Sequence, residues 1–416
     1  MSLELLENYW QEWVDPKDPL LQWRQKGWES FDRMGLPKAK QEAFQYLPLQ
    51  KLAFPKPALQ KKISIQEIEP HLFPECKSSR LVFVDGFFDE TLSLIPEPIV
   101  ALPMESALRT YGLFLANRFT KSLKEEKDPF TLLNTAFQGK GVFLYVPPNK
   151  QIETPLQIFH FFTSSETASP RIQIYLGKNA KFQVVQSAFH RNQTVCNAVC
   201  DFALDENAEF SFYDTQELPL AAQQFQSIRT TLKRSSRFKM HLFTRGSKLA
   251  RSSIRIQLCE ENAEAEIFGL SRLKGENQSH VHATIEHLAP HTRSRQHFKT
   301  VLKEKSKTSF EGKIFVKPEA QKTEAYQLNN NLVLSDEASA NSKPNLEIFA
   351  DDVKASHGAT VSQLDKEELF YLQSRGLPLA LAKRWLIAGF CRDLIEQVPL
   401  ASLKAKLLKE DNSDAR

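Results

Sequence analysis

The chain has 416 residues, more than one ordinary hydrophobic core supports unless repeated units spread the core along an axis. Hydrophobic residues make up 41% of the sequence and charged residues 25%, a composition typical of a globular protein with apolar surface to bury. The net charge of +4 is small for this length, so it indicates neither a nucleic-acid partner nor a membrane surface.

Two features of the sequence bear on the cellular compartment. Glu4, Glu7 and Glu12 stand where a secretory signal would need basic residues followed by an uninterrupted apolar core. No stretch approaches the roughly 18 apolar residues that span a bilayer. The five cysteines are odd in number and scattered, which indicates reduced thiols and not a disulfide framework. We therefore predict a soluble, cytoplasmic protein.

Residues 1–140 are predicted to form a mainly helical N-terminal region. Leu6, Trp10 and Trp13 recur at helical spacing and begin an aromatic-rich apolar face. Such aromatic side chains are more often core than a ligand-stacking site, and we interpret them as core. One strand is expected within this region, at Leu81–Phe88.

The pattern changes to strands in the region 141–364. Segments such as Ile254–Leu258 alternate apolar and polar residues over the length of a strand. A turn word at Lys178–Phe182 recurs 28 residues later at Glu206–Phe210. Strands joined by short, repeated turns, without the Asn-Gly signal of hairpins, indicate coils stacked along one axis, a β-helix, better than a sandwich.

The last part of this strand region, Thr308–Leu364, shows a second spacing. The turn words Glu319-Ala320 and Glu337-Ala338 stand 18 residues apart, and a period near 18 suggests coils of a solenoid. Polar turns separate short apolar runs that we predict to be strands, at Lys313–Val316, Leu332–Leu334 and Leu346–Phe349.

Residues 365–416 are predicted to form a C-terminal domain of three helices. Asp365 and Glu368 resemble a capping box, and Gly376 and Pro378 separate the first helix from the second. A helical domain at the end of a solenoid must bury its apolar face, and the simplest expectation is that it caps the last coil. The apolar residues at helical spacing are Leu369 and Leu372, then Ala382, Trp385 and Phe390, then Leu400, Leu403 and Leu407.

Several words of the chain match one protein family in order. They stand at Gly35–Pro37, Leu81–Phe88, Ala325–Asn329, Leu334–Asp336, Ser342–Ile348, Ala350–Lys354 and Ser356–Val361. Over nearly its whole length the chain resembles the SufB/SufD family of iron-sulfur cluster assembly proteins, and the SufD branch in particular. The resemblance implies a mixed α and β fold, in which helical N-terminal and C-terminal regions flank a right-handed β-helix core.

The resemblance also implies a scaffold subunit and not an enzyme. Its implied partners are a SufB-like subunit, paired through the β-helix, and a SufC-like ABC ATPase, docked on the C-terminal helices. An iron-sulfur cluster would be held transiently by the complex and not tightly by this chain alone. The resemblance further allows a flavin in the complex and a homodimer of the isolated chain. The expected ATPase-docking residues are Leu369, Leu372, Ala382, Trp385 and Phe390.

His357 is the one candidate metal ligand that the resemblance singles out. The resemblance implies a place near the SufB interface, where a neutral imidazole can bind iron. Many relatives carry a cysteine two positions before this histidine, but here that position is Ala355, so no thiolate is available there. Two roles stay open for His357, an iron or cluster contact and a structural interface histidine.

Other chemistry is weaker. His280 and His282 would project to the same face of a strand, which suits two metal ligands, but histidines that pack and hydrogen-bond are the commoner case. No Walker A loop, nucleophile elbow, dinucleotide fingerprint or zinc-protease motif appears, so ATP hydrolysis must come from another chain. Two alternatives remain: a β-helical enzyme, either polysaccharide-active or an acyltransferase using His357 as a base, and the SufB paralogue.

Overall fold

The computed structural model describes residues 2–413. No helix within these residues is long and apolar enough to cross a membrane. The helices are α1 (Leu3–Trp13), α2 (Leu21–Met34), α3 (Ile65–Ile68), α4 (Met104–Glu125), α5 (Pro129–Phe137), α6 (Lys366–Ser374), α7 (Leu379–Ile395) and α8 (Ala401–Ser413).

Twenty strands make up the centre of the molecule. They are β1 (Arg80–Val84), β2 (Phe87–Leu94), β3 (Val100–Pro103), β4 (Val142–Val146), β5 (Leu156–Phe162), β6 (Thr167–Ala168), β7 (Arg171–Leu176), β8 (Lys181–His190), β9 (Val195–Leu204), β10 (Glu209–Leu218), β11 (Gln223–Leu232), β12 (Arg237–Gly246), β13 (Leu249–Leu258), β14 (Glu264–Leu273), β15 (Gln278–His287), β16 (Arg293–Leu302), β17 (Lys307–Val316), β18 (Thr323–Val333), β19 (Ser339–Ile348) and β20 (Val353–Ser362).

The strands form two facing sheets of a β-solenoid with about eight turns, which confirms the predicted fold class. The first sheet runs β2-β1-β5-β8-β10-β12-β14-β16-β18-β20, and the second runs β19-β17-β15-β13-β11-β9-β7-β4-β3. Each coil gives one strand to each sheet. Neighbouring strands from successive coils are parallel, and the antiparallel pairs β1–β2 and β3–β4 stand at the first end.

Two repeats of different length govern the coils. The predicted 28-residue repeat is one full coil, because Asn179 and Asn207 occupy equivalent turns on adjacent coils, with positive φ angles of 57° and 56°. Their side chains hydrogen-bond from coil to coil, with Asn207 Nδ2 3.0 Å from Asn179 Oδ1. The 18-residue spacing is not a coil, and that interpretation is wrong. Its turns at Glu319 and Glu337 flank the single strand β18, so the spacing is half a coil.

The core fills the space between the two sheets. Residues in register on successive coils stack, as Phe182, Phe210 and Phe238 do, with ring centroids 6.0 Å and 5.8 Å apart. Burying each such ring contributes roughly 1.5–3 kcal/mol, and the stack repeats that gain in every coil. The solenoid therefore holds one continuous apolar core along its axis.

The N-terminal region adds strands to both sheets as well as helices. The expected single strand at Leu81–Phe88 is in fact a hairpin of β1 and β2, because Asp85 and Gly86 turn the chain with φ angles of 48° and 90°. Gly86 is required there, since a Cβ would lie 2.8 Å from the Ser169 backbone nitrogen.

The N-terminal helices cover the outer face of the second sheet. Helix α5 is buried along its whole length and packs with Phe225 of β11. The aromatic residues predicted as core do pack together, and Trp10 stacks on Trp28 with ring centroids 5.3 Å apart. A buried ion pair fixes this layer, because Arg251 of β13 lies 2.5 Å from the Asp128 carboxylate that caps α5.

The C-terminal helices cover the outer face of the first sheet. Leu394, Ile395 and Leu403 join an apolar cluster with residues of β8, β10, β12, β14 and β16, including Phe268. Glu75 accepts hydrogen bonds from the backbone nitrogen and the hydroxyl of Ser402, at 2.9 Å and 2.5 Å, and so holds the start of α8. The expectation that this domain caps the last coil is wrong, since its helices lie along the side of the solenoid.

Candidate functional site

The solenoid has an open end at its last coil. Strand β20 pairs with β18 and strand β19 with β17, and neither has a further strand beside it within residues 2–413. The side chains of β20 are exposed or half-buried from Val353 to Ser362. Both strands have ten residues, so two rows of backbone N–H and C=O groups face outward here. We call these two strands the open edge.

His357 lies on the open edge, in the middle of β20. Its ring is exposed, and its register neighbour on β18 is Gln327. It borders a groove of about 640 Å³ on the outer face of the first sheet, next to the exposed side chains of Tyr326 and Leu328. We call this the end groove. It places an imidazole, two apolar side chains and an unpaired strand edge on one surface.

The end groove has mixed charge. Glu324 of β18 lies 3.8 Å from Arg293 and 3.7 Å from Lys354, so its carboxylate bridges β16 and β20. His297 faces the same groove and its Nε2 lies 2.9 Å from Asn330 Oδ1. Burial lowers the pKa of His297, so this ring is neutral at pH 7. The groove suits a polar protein surface of mixed charge better than a single charged ligand.

A metal ion at this end would need ligands from elsewhere. Residues 2–413 contain no group of three or more His, Cys, Asp or Glu side chains that could hold a metal. His357 can supply one nitrogen ligand, and Ala355, half-buried beside it, supplies none.

The histidine pair in β15 is structural. His280 and His282 do project to the same outer face, as predicted, but the ring nitrogens of His280 are occupied by Ser309 Oγ at 2.7 Å and Gln278 Oε1 at 3.3 Å. Burial lowers the pKa of His280 to about 3 and that of His282 to about 4. Neutral, hydrogen-bonded rings of this kind hold coils together.

The cysteines are buried as well. Cys196 and Cys200 both lie on β9 as free thiols, and burial raises the pKa of each. A thiol that ionises with difficulty is a poor nucleophile and a poor metal ligand. Neither is suited to carry sulfur.

The predicted ATPase-docking residues fall into two groups. Ala382 is buried inside the chain, and Phe390 packs against the sheet, where its carbonyl oxygen and ring both contact Lys299 Nζ. These two residues hold α7 in place. Leu369 and Leu372 are half-buried, and Trp385 is 53% exposed.

The most exposed apolar residues of this domain were missed by the sequence reasoning. Phe370 is 73% exposed and Tyr371 is 58% exposed on α6, a helix with no buried residue, and Leu379 begins α7 with 46% exposure. Together with Trp385 they form an apolar surface that we call the helical face. The available signal was the adjacent pair Phe370-Tyr371, which breaks the stripe set by Leu369 and Leu372.

Two family models match the chain. Residues 160–390 match the model described as the SufBD core domain of SUF system FeS cluster assembly, which is more than half of the chain. Residues 14–158 match the model described as the SufBD protein N-terminal region. The two matches meet at β5, where the regular coils of the solenoid begin.

Curated relatives agree with the family models. An iron-sulfur cluster assembly SufBD family protein of Synechocystis is 31% identical over 92% of this chain and 88% of its own length. The iron-sulfur cluster assembly protein SufD of Escherichia coli is 28% identical over 90% of this chain and 88% of its own. SufD of Bacillus subtilis is 25% identical over 73% and 71%.

Proposed function

The chain belongs to the SufBD family of iron-sulfur cluster assembly proteins and is SufD-like, and from this premise we propose that it is a non-catalytic scaffold subunit of a SufBCD-type complex. The observation that carries the proposal is the separation of two unpartnered surfaces, the open edge and the helical face, at different places on one rigid solenoid. Two surfaces of different chemistry fit two different partners. The SufD relatives favour this assignment over the SufB paralogue, and the assembly family favours it over a β-helical enzyme.

The open edge is the proposed contact with a SufB-like subunit. A solenoid partner that also ends in free strands would extend both sheets by main-chain hydrogen bonds. Val361, exposed on β20, and Phe349, exposed just after β19, would add apolar contacts. A second copy of this chain has the same edge, so the same surface would support a homodimer when the partner is absent.

The helical face is the proposed contact with the SufC-like ATPase. Its exposed aromatic rings stand on short helices whose other side is anchored to the sheet, where Lys299 Nζ lies 2.7 Å from Asp393 of α7. A force applied by a moving ATPase at α6 and α7 would thus reach β16 through a charged contact and an apolar cluster. Trp and Tyr side chains are also the common anchors of protein interfaces.

His357 is proposed as a contact to iron or to the nascent cluster at the SufB interface. It lies on the open edge, so a paired subunit would bring its own ligands to the same surface. The cluster would be cargo of the complex, held transiently. A flavin in the complex and a cytoplasmic location stay predictions.

The helical face is tested by replacing Phe370 and Trp385 together with serine. Co-expression of the tagged variant with SufB-like and SufC-like partners should recover the SufB-like subunit at the wild-type level and lose at least nine-tenths of the ATPase. Both side chains are exposed, so folding should be unaffected. The matched control is Leu113→Ser, which removes an equally exposed apolar side chain from α4. Full recovery of the ATPase by the double variant would remove this part of the proposal.

His357 is tested by His357→Ala in the complex, with Ser356→Ala on the same strand as the control. After anaerobic reconstitution, we expect the His357→Ala complex to keep its subunits and to hold less than half the iron and acid-labile sulfide of the control, because one ligand is lost. Equal iron in the two complexes would assign His357 a structural role.

A further inference from the structure

A cavity separate from both proposed interfaces lies between the first sheet and the C-terminal helices. Its volume is about 720 Å³, within the range of small-molecule sites. Its floor comes from β8, β10, β12 and β14, and its sides come from the loop 70–73 and from helices α7 and α8. Three regions of the chain therefore meet around it. We call it the basic cavity.

The lining of the basic cavity is strongly positive. Glu217 is the one carboxylate among the described residues that line it, and its Oε1 lies 2.9 Å from Lys406 Nζ. A net charge of +4 over 416 residues gives no reason for so many cations to share one cavity. Like charges in one concave site repel each other, and a bound anion would relieve that repulsion. The six cations are Arg245, Arg272, Lys274, Lys303, Arg384 and Lys406.

One wall of the basic cavity is aromatic. The His71 ring stacks on Phe189 with a centroid distance of 3.9 Å and on Phe159 at 5.9 Å. Burial lowers the pKa of His71, so the ring is neutral at pH 7 and stacks as an uncharged aromatic. Phe73 adds a further apolar side chain. A flat ring of a ligand would find stacking partners here, next to the cations.

Two polar side chains of the lining lack a partner within the described residues. Both ring nitrogens of His190 are buried without a hydrogen bond, and so is Nε of Arg384. Buried polar atoms are nearly always satisfied, so atoms of this kind at a cavity wall indicate a missing partner. An oxygen-rich ligand would accept from Arg384 and bind His190 at the same time.

We propose that the basic cavity binds a nucleoside diphosphate or a compound of the same chemistry, with its phosphates on the cations and its base on the aromatic wall. Guanidinium groups match phosphate oxygens bidentately, and bases stack on aromatic rings without regard to their sequence. The cavity joins α7 and α8 to the sheet, so the ligand would bridge the two layers. This site stands whether or not the chain assembles with partners.

The test is isothermal titration calorimetry on the purified full-length chain with ADP, inorganic pyrophosphate and adenosine as probes. ADP should bind at least tenfold more tightly than pyrophosphate and tenfold more tightly than adenosine, and its affinity should fall as salt is raised. Pyrophosphate binding as tightly as ADP would overturn the stacking half of the proposal. No heat from ADP or pyrophosphate at millimolar concentration and low salt would overturn the whole of it.

Substitutions place the ligand. Arg384→Gln and Lys274→Gln should each weaken ADP binding about tenfold, because each removes a charged phosphate contact. Lys383→Gln is the matched control, since Lys383 is the exposed neighbour of Arg384 on α7 and does not line the cavity. Lys274 is exposed, so its variant should fold normally. Equal affinities in all three variants would show that ADP binds elsewhere and contradict the assignment.

Discussion

Buried histidines dominate the acid response expected of this protein at the scale of single residues. Burial lowers their pKa values to about 3 or 4, so the rings are neutral in the folded chain. The unfolded chain takes up protons as the pH falls below about 6.5. Their contribution is therefore complete above that pH and is lost as the pH falls toward 4. The residues are His160, His190, His241, His280, His282 and His287.

The clearest test of this acid response is His241→Phe. His241 stacks between Tyr213 and Phe268, with centroid distances of 5.2 Å and 4.9 Å, so a phenyl ring fits the same stack. Between pH 4.5 and 6 the free energy of unfolding should depend less steeply on pH, by up to one proton or about 1.4 kcal/mol per pH unit. Urea unfolding at several pH values measures the slope. Tyr213→Phe, in the same stack, is the control, and an unchanged slope for His241→Phe would contradict the account.

Some single-residue features could be read from the sequence and others could not. The repeated turn word is legible because Asn tolerates the left-handed conformation that Asn179 and Asn207 adopt. The shared face of His280 and His282 follows from strand geometry alone. The partner of His280 does not, because Ser309 reaches it from the next coil, 29 residues along the chain.

Ion pairs join the elements across layers. Arg229 of β11 donates from Nε to Asp201 of β9 at 2.7 Å and from Nη1 to Glu126, just after α4, at 2.6 Å. Burial opposes the ionisation of Asp201, but the nearby Arg229 and Arg171 outweigh it and keep its pKa below the usual value. Burial raises the pKa of Glu126, and Arg229 acts against that shift. This guanidinium ties the N-terminal helical layer to the second sheet.

Loss of this tie should be costly. Arg229→Met would leave two buried carboxylates without their main counter-ion, and we expect the free energy of unfolding to fall by about 3–5 kcal/mol. Arg237→Met is the control, because Arg237 makes only exposed ion pairs with Glu209 and Glu264 on neighbouring coils and should cost less than about 1 kcal/mol. Chemical unfolding followed by circular dichroism measures both. Equal losses would mean that the buried network contributes no more than a surface pair.

Elements with strong local signals were predicted well, and the rest depended on their neighbours. The start of α6 was predicted because the Asp365 carboxylate accepts from the backbone nitrogens of Glu367 and Glu368. The last strands were predicted too short. Strand β19 reads SANSKPNLEI, with few apolar residues, and its pairing with β17 decides its length more than its own pattern does.

At the scale of the whole molecule, the helical layers leave one end of the solenoid uncovered. The sequence indicated stacked coils and terminal helices, but it could not place the helices on the sides. That placement depends on contacts such as Glu75 with Ser402, which are 327 residues apart. The outcome matters for assembly, since helices on the last coil would have covered the open edge that we propose for pairing.

The most direct test of the account is native mass spectrometry of the complex co-expressed with SufB-like and SufC-like partners. Val361→Lys puts a charge on the open edge, and Leu94→Lys puts the same charge on β2, at the other end of the same sheet. We predict all three subunits for the wild type and for Leu94→Lys, and the ATPase without the SufB-like subunit for Val361→Lys. A wild-type chain recovered alone, or a Val361→Lys complex that keeps its SufB-like subunit, would contradict the account.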